Sequence, residues 1–368
     1  MGDVASSDRP WLARAVALAE TARAISSPNP PVGCVLIVDG RIAGEGATRE
    51  TGGPHAEAVA LAEAGASAEG ATAYVTLEPC AHQGRTPPCS RALIEARVAR
   101  VVIAHPDPNP VASGGRAALT AAGVRVAGPL GVDDLLRRTV TLQLEGFLSA
   151  VRRRRPHVTL KMAQTTDGRL VAPTGRWVTG PAARAAVHRW RAAVDAVLVG
   201  SGTVLADDPS LDVRHVAAAR QPRPVVLDSR LSIPPSARVV HRGALVVTTA
   251  QASTERADIL RRAGADVEIV PASSGRVDPI AALRALSRHG ITTVLAEPGR
   301  RLAETLLAAD LVDRWVLHLA DHGSGTVVGP AVAAPAVPWR LERQGGAGPD
   351  AIVHLVRDRT PDPDLEAP

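Results

Sequence analysis

The chain has 368 residues, 45% hydrophobic and 21% charged, a length that favours two domains and a balance that excludes a mainly disordered or fibrous polymer. Only 2% of residues are aromatic, too few for a single-strand nucleic-acid binder that stacks bases, and 42 Lys plus Arg against 37 Asp plus Glu reads as a solvated Arg-rich surface. No apolar run reaches the roughly 18 residues of a membrane helix, and MGDVASSDRPW lacks a basic then apolar leader, so a cytoplasmic protein without membrane or nucleic-acid partners is expected.

The first half alternates helix and strand signals. Trp11 to Ala24 has the apolar spacing of an amphipathic helix. Val32 to Val38 is a buried strand, and Asp39-Gly40 turns it into a second strand near Ile42. A helix over 55–64 is entered through Gly52, Gly53 and Pro54. Strand Ala73 to Leu77, helix Ser90 to Ala96, strand Arg100 to Ala104, helix Ala117 to Ala122 and short strand Val124 to Val126 follow, and a helix over Leu135 to Ala150 closes the half. The order predicts a mixed sheet flanked by helices over residues 1–150. The Arg152 to Arg155 run before Pro156 reads as a solvated linker.

The second half, residues 156–360, starts again with strand His157 to Met162. Strands recur at Ala196 to Val199, Pro224 to Leu227, Ala244 to Thr248, Val267 to Val270, Thr293 to Ala296 and Arg314 to Leu319. Helices fall at Ala182 to Val194, Thr254 to Ala263, Pro279 to His289 and Arg301 to Ala309, giving a second α/β unit. The tail, residues 361–368, has a disordered composition.

Three cysteines do not make a disulfide framework, and in a long chain they point to metal or catalysis. His55, Cys80 and Cys89 supply the borderline and soft donors that zinc prefers. Glu57, two residues after His55 at a helix start, can reach the reacting position without binding the metal. That is the arrangement of a hydrolytic deaminase: zinc activates water and a carboxylate carries its proton to the leaving amine. The zinc-deaminase pattern H-x-E followed by P-C-x-x-C is met at His55-Ala56-Glu57 and Pro79-Cys80, but eight residues, AHQGRTPP, separate Cys80 from Cys89. His82 offers a fourth ligand for the rival reading, a purely structural zinc site. Cys34 lies in a buried strand and reads as core. Asn29, between Pro28 and Pro30, is equally a turn residue or a ligand contact.

At these residues the chain resembles the cytidine deaminase-like superfamily. The stretches SPNPPVGCVLIVDGRIAGEG, GGPHAEAVAL and AYVTLEPCAHQGRTPPC are similar to the deaminase half of the bifunctional riboflavin biosynthesis deaminase-reductases. The resemblance implies an N-terminal mixed-sheet α/β/α domain with Zn2+ on His55, Cys80 and Cys89, Glu57 as catalytic proton shuttle, and Asn29 on a pyrimidine ring. Arg85, in the insert between the cysteines, is a further candidate for the substrate phosphate by charge.

The second half resembles the reductase of the same family through VTLKMAQTTDGRLVAPTGRWVTG, VLVGSGTVLADDPSLDVR, PVVLDSRL and VLAEPGRRLAETLL. It implies a dihydrofolate reductase-like α/β domain that binds NADPH without a G-x-G-x-x-G motif. By family position Ala163, Trp177, Thr203, Asp207, Ser229 and Gly299 line the cofactor. Arg191, Leu211, Arg214 and Glu297 line the substrate, a small phosphorylated pyrimidine. Lys161 and Asp167 are reductase catalytic candidates. Gly200-Ser201-Gly202-Thr203 after a strand suits backbone contact with a phosphate, as does Gly299-Arg300-Arg301. Ser229 and Arg230 suit a 2′-phosphate. The fold's habit of pairing through a sheet edge adds an expectation of a homo-oligomer through this half. The chain lacks the usual serine before Trp177 and has PGRR after Glu297, which motivates an alternative: a deaminase fused to a degenerate nucleotide-binding regulatory domain.

Overall fold

The computed structural model describes residues 2–84, 87–132, 134–166, 169, 178–320, 339–347 and 350–357. The chain divides into two compact units, Met1–Arg155 and Pro156–Pro368. The expectations placed on Arg85, Asp167, Trp177 and the 361–368 tail lie outside the described residues.

The first unit runs α1 (Arg9–Ala22), β1 (Gly33–Val38), β2 (Arg41–Ala47), α2 (Ala56–Ala64), β3 (Thr72–Leu77), α3 (Cys89–Glu95), β4 (Arg100–His105), α4 (Gly115–Ala121), β5 (Arg125–Ala127), α5 (Leu135–Gln143) and α6 (Glu145–Arg153). Its sheet has the order β2-β1-β3-β4-β5. The β1–β2 hairpin is antiparallel, β1 also pairs antiparallel with β3, and β3, β4 and β5 are parallel. Val35, Leu36, Val75, Val101 and Val102 are fully buried, as the near-continuous apolar runs predict for strands covered on both faces.

Glycines on β2 set how closely α2 can lie. A Cβ on Gly46 would stand 2.1 Å from the Ala56 carbonyl oxygen, and one on Gly44 would stand 2.3 Å from that of Ala60. The helix that begins at His55 is therefore seated on bare backbone. The helix expected over Leu135 to Ala150 is two helices that meet at Leu144, whose ψ of −1 breaks the regular spiral. Leu144 is wholly buried at that junction, so the bend lets both segments turn apolar faces to the core.

The second unit contains β6 (His157–Thr165), α7 (Pro181–Ala192), β7 (Ala196–Gly200), α8 (Ser201–Asp207), β8 (Arg223–Leu227), α9 (Arg238–His241), β9 (Leu245–Thr249), α10 (Thr254–Arg262), β10 (Asp266–Val270), the ribbon β11 (Ala272–Ser273) and β12 (Arg276–Val277), α11 (Pro279–Arg288), β13 (Thr293–Ala296), α12 (Arg300–Ala308), β14 (Arg314–Ala320), β15 (Trp339–Ala347) and β16 (Asp350–Arg357). Nine strands form one sheet in the order β10-β9-β8-β7-β13-β6-β14-β16-β15. Pairing is parallel from β10 to β14, and the β15–β16 hairpin adds two antiparallel strands. Helices cover both faces, as parallel pairing requires. The C-terminal ends of β6, β7 and β13 thus come together, the place where open α/β sheets bind ligands.

Candidate active sites

The candidate metal site of the first unit is assembled from three element boundaries. His55 is the extended residue that begins α2, Cys80 lies just beyond β3, and Cys89 opens α3. His55 Nδ1 is 3.8 Å from Cys80 Sγ and 3.3 Å from Cys89 Sγ. One donor atom from each residue lies within 4.8 Å of the others. The Cys80 loop is pinned by Ser90, whose backbone N–H and hydroxyl both donate to the Cys80 carbonyl, at 3.1 and 3.0 Å. The Cys89 N–H donates to Cys80 Sγ at 3.4 Å.

These contacts favour a thiolate. Hydrogen bonds from the Cys89 thiol, His55 and the Cys89 N–H pull Cys80 down to about 4, while the shared proton and burial push Cys89 up. A cluster whose first proton is lost so readily suits a cation, and two sulfurs with one imidazole are the donor types zinc takes. The donor set therefore fits the expected metal. His82, the rival fourth ligand, does not belong to the donor cluster. Cys34 is wholly buried core, with its thiol pushed well up by burial.

Glu57 is 4% exposed in the first turn of α2, and burial raises its pKa. A cavity of about 300 Å³ opens over the donors, lined by Asn29, Gly52, Gly53, His55, Cys80 and His82 among others. A second cavity, of about 250 Å³, shares Asn29, His55, Cys80 and His82 and adds Glu57, Glu78, Asp107, Asn109 and Phe147. Sequence reasoning missed Glu78, Asp107 and Asn109. The available signal was position: Asp107 and Asn109 follow β4 and Glu78 follows β3, at the C-terminal ends of parallel strands. Burial raises Asp107 to about 6.

In the second unit, Lys161 on β6 and Glu297, just past β13, come from adjacent parallel strands. Burial lowers the Lys161 pKa, against the pull of the Glu297 charge. Glu297 is held ionised by Arg191, whose Nε and a terminal nitrogen donate to its two oxygens at 2.7 and 3.0 Å. Ala163 pairs with His318 across β6 and β14. His318 was not anticipated: it is fully buried with both ring nitrogens unpartnered, and burial lowers it to about 3.

The glycine-rich stretch Gly200 to Thr203 forms a helix start, with Gly200 the extended residue before α8. Gly299 holds the same position before α12, and a Cβ on it would be 3.9 Å from Thr203 Oγ1. Thr203 and Gly299 thus meet beyond β7 and β13, and Asp207 ends α8. The Ser229 hydroxyl accepts the Val277 N–H at 2.9 Å. Asp228 caps its own turn through the Ile233 N–H and the Ser232 hydroxyl. Leu211 is buried with a φ of +52, and Arg214 is partly exposed near it.

Residues 5–105 match the model for the cytidine and deoxycytidylate deaminase zinc-binding region, and residues 156–330 match that for the RibD C-terminal domain. The chain is 38% identical to the riboflavin biosynthesis protein RibD of Escherichia coli over 95% of its own length and 99% of that protein's. It belongs to the RibD family. Among solved RibD structures, that of Acinetobacter baumannii superposes with a TM-score of 0.82 at 35% identity, covering 95% of this chain and 98% of that one. A Thermotoga maritima diaminohydroxyphosphoribosylaminopyrimidine deaminase/5-amino-6-(5-phosphoribosylamino)uracil reductase gives 0.79 at 32% identity, with 95% and 98% covered.

As a RibD family member, the chain is a bifunctional enzyme of riboflavin biosynthesis, with a cytidine deaminase-like part and a reductase part. The comparisons give no support to a degenerate regulatory second half. Among the described residues no helix is long and apolar enough to cross a membrane.

Proposed function

We propose that residues 1–150 deaminate 2,5-diamino-6-ribosylamino-4(3H)-pyrimidinone 5′-phosphate at its 2-amino group, and that residues 156–360 then reduce the ribosyl chain to ribityl with NADPH. The observation that carries the first step is the buried carboxylate of Glu57 beside the cluster of His55, Cys80 and Cys89.

His55, Cys80 and Cys89 would hold Zn2+, which lowers the pKa of water towards neutrality and so supplies a nucleophile. Glu57 takes the proton of the attacking water and returns it to the departing ammonia. Its raised pKa suits a group that must both accept and release a proton. Asn29 offers an amide donor and acceptor to the pyrimidine edge from the cavity wall. Asp107 and Asn109 add polar groups on the facing wall.

Bound beyond β7 and β13, NADPH would supply a hydride for C1′ in the second step. Lys161 holds a proton for the ring oxygen released there, with Glu297 stabilising its charge. Asp167 is kept as a second proton-handling candidate. Arg214 and Arg191 face the ribose phosphate, with Leu211 shaping the pocket. Thr203, Gly299 and the N-terminal backbone of α12 would hold the cofactor's phosphates. Ala163, Trp177 and Asp207 complete that site by family position, and Ser229 turns the preference to NADPH. The outer edge of β15, terminal in the sheet, suits pairing with a second copy. The reading needs no membrane or nucleic acid and fits a cytoplasmic enzyme.

Mass spectrometry of the pyrimidine after incubation with zinc-loaded protein tests both steps. Deaminated product without NADPH, and deaminated and reduced product with it, are expected. Deaminated product that NADPH leaves unchanged would remove the reductase assignment.

A further inference from the structure

The loop between α8 and β8 is held in a costly shape. Three non-glycine residues in it, Asp208, Leu211 and His215, have φ of +40, +52 and +68, a region that L-residues avoid. Four side chains clamp its backbone: His188 and Arg191 from α7, Arg242 from just past α9, and Gln221 from the loop's own far end. Arg191 donates to the Asp212 carbonyl at 3.0 Å, and Arg242 donates to that of Ser210 at 2.7 Å. Gln221 accepts the Val213 N–H at 2.7 Å and donates to the Val213 carbonyl at 3.0 Å. His188 Nδ1 accepts the Arg214 N–H at 3.3 Å. Strain sustained by so many contacts marks a segment shaped for a ligand.

The clamp presents a compact anion-binding arrangement that already contains an anion. One Arg214 terminal nitrogen donates to Asp212 Oδ1 at 2.6 Å and to Ser210 Oγ at 3.0 Å. The Ser210 hydroxyl donates to the same carboxylate oxygen. A guanidinium and a hydroxyl meeting on one anionic oxygen is the arrangement a phosphate monoester takes. The Arg214 and Asp212 side chains are 44% and 27% exposed, so a ligand can reach the pair from solvent. Burial works against the Asp212 charge, but Ser210, Arg214 and Arg242 outweigh it and keep the carboxyl ionised.

We propose that Asp212 is an internal stand-in for the substrate's phosphate, occupying Arg214 and Ser210 in the free enzyme and yielding them when the phosphorylated ligand arrives. This rests on the reading that Arg214 holds the ribose phosphate. A dianionic phosphate with several acceptor oxygens displaces the carboxylate, whereas a weaker anion meets both competition and repulsion. Asp212 is thus a specificity residue for the second step, set against unphosphorylated or monoanionic analogues.

The test uses the full chain and reads the KM for the phosphorylated pyrimidine, the KM for NADPH and competitive inhibition by inorganic phosphate. Asp212→Asn should lower the phosphate inhibition constant and the pyrimidine KM by about two- to fivefold, the size of one partly exposed ion pair. The NADPH KM should stay unchanged. Equal or higher constants in Asp212→Asn would overturn the stand-in, since the carboxylate would then only orient Arg214. Should that variant lose NADPH binding through collapse of the loop, Asp212→Ser decides by the same constants. Arg214→Gln separates the underlying reading: phosphate inhibition that survives it intact would place the phosphate elsewhere, whatever Asp212 does.

Discussion

Gly115, the first residue of α4, stands against the carbonyl of Pro79, and a Cβ there would lie only 1.7 Å from that oxygen. The helix and the loop carrying Cys80 are therefore in backbone contact, and the Glu78 carboxylate fastens them by accepting the N–H groups of Gly114 and Arg116 at 3.2 and 3.0 Å. Gly115→Ala must push the loop away. We expect substoichiometric zinc by metal analysis and a deaminase rate at least about tenfold lower, since a misplaced ligand costs affinity on that scale. NADPH-dependent reduction of supplied deaminated pyrimidine should be unaffected. Full zinc content with normal deamination would show that the loop yields without consequence.

Replacing Glu57 with Gln keeps the shape and removes the base. Deamination should fall by about 10² to 10⁴, the usual worth of a positioned proton carrier. Zinc content and reduction of the separately supplied deaminated intermediate should persist. A variant that still deaminates within tenfold of the parent would transfer the proton-carrying role to another group.

Buried histidines make the fold acid-sensitive. Burial lowers His105 to about 4, His318 to about 3 and His354 to about 4. His354 Nε2 accepts from Arg343 at 3.2 Å, which requires the neutral ring. The unfolded chain binds these protons near pH 6.5 and the folded chain does not, so stability is full above that pH and falls as pH drops towards 4. Each histidine contributes up to about 3 kcal/mol to this loss. Urea titrations at pH 7.5 and pH 5 should show the drop, and His105→Asn should shrink it in the first unit. A flat profile over this range would mean that the rings gain partners on protonation.

Asp8 anchors the opposite side of the first unit. It is 2% exposed and takes a two-nitrogen contact from Arg100 at 2.7 and 2.8 Å, together with the Tyr74 hydroxyl at 3.0 Å. The Arg100 hydrogen bonds hold its carboxyl below the usual range, while burial and Asp8 push the Tyr74 phenol up to about 12. Asp8→Ala strands Arg100 and should cost about 3 kcal/mol of stability. The Asp8 contribution is present above about pH 4 and lost as pH falls through its lowered folded value. Ultraviolet titration of Tyr74, the one tyrosine in the chain, should show a late phenolate that moves towards 10 in Asp8→Ala.

The gathering of His55, Cys80 and Cys89 was legible in the sequence because the three donors and the Glu57 carboxylate fall into two short stretches whose chemistry is restrictive. The strands around Val35, Val101 and Val246 were legible because a short continuous apolar run between turn residues fits little besides a strand covered on both faces. The β15–β16 hairpin was not: Arg340 to Gly346 is exposed throughout and carries no alternation of apolar residues. Helix α8 was not predicted, because Gly200 before it and Gly202 within it weaken the helical signal. Asp107 and Asn109 were passed over because a PDPNP turn announces itself only as a turn. The role given to Asp212 depends on Arg191, Gln221 and Arg242, which come together only once the sheet is built.

The placement of β6 between β13 and β14 also governs the order in which the second unit can form. β6 opens that unit, yet both of its hydrogen-bonding neighbours lie in the last part of the chain, beginning at Thr293 and Arg314. A nascent chain leaving the ribosome carries β6 with two open edges until α11 has passed. The first unit, whose strands pair with near neighbours in sequence, can be complete long before. A ribosome that stalls between these points would release a folded deaminase attached to a sticky, unpaired strand, and that is where chaperone demand on this protein should concentrate.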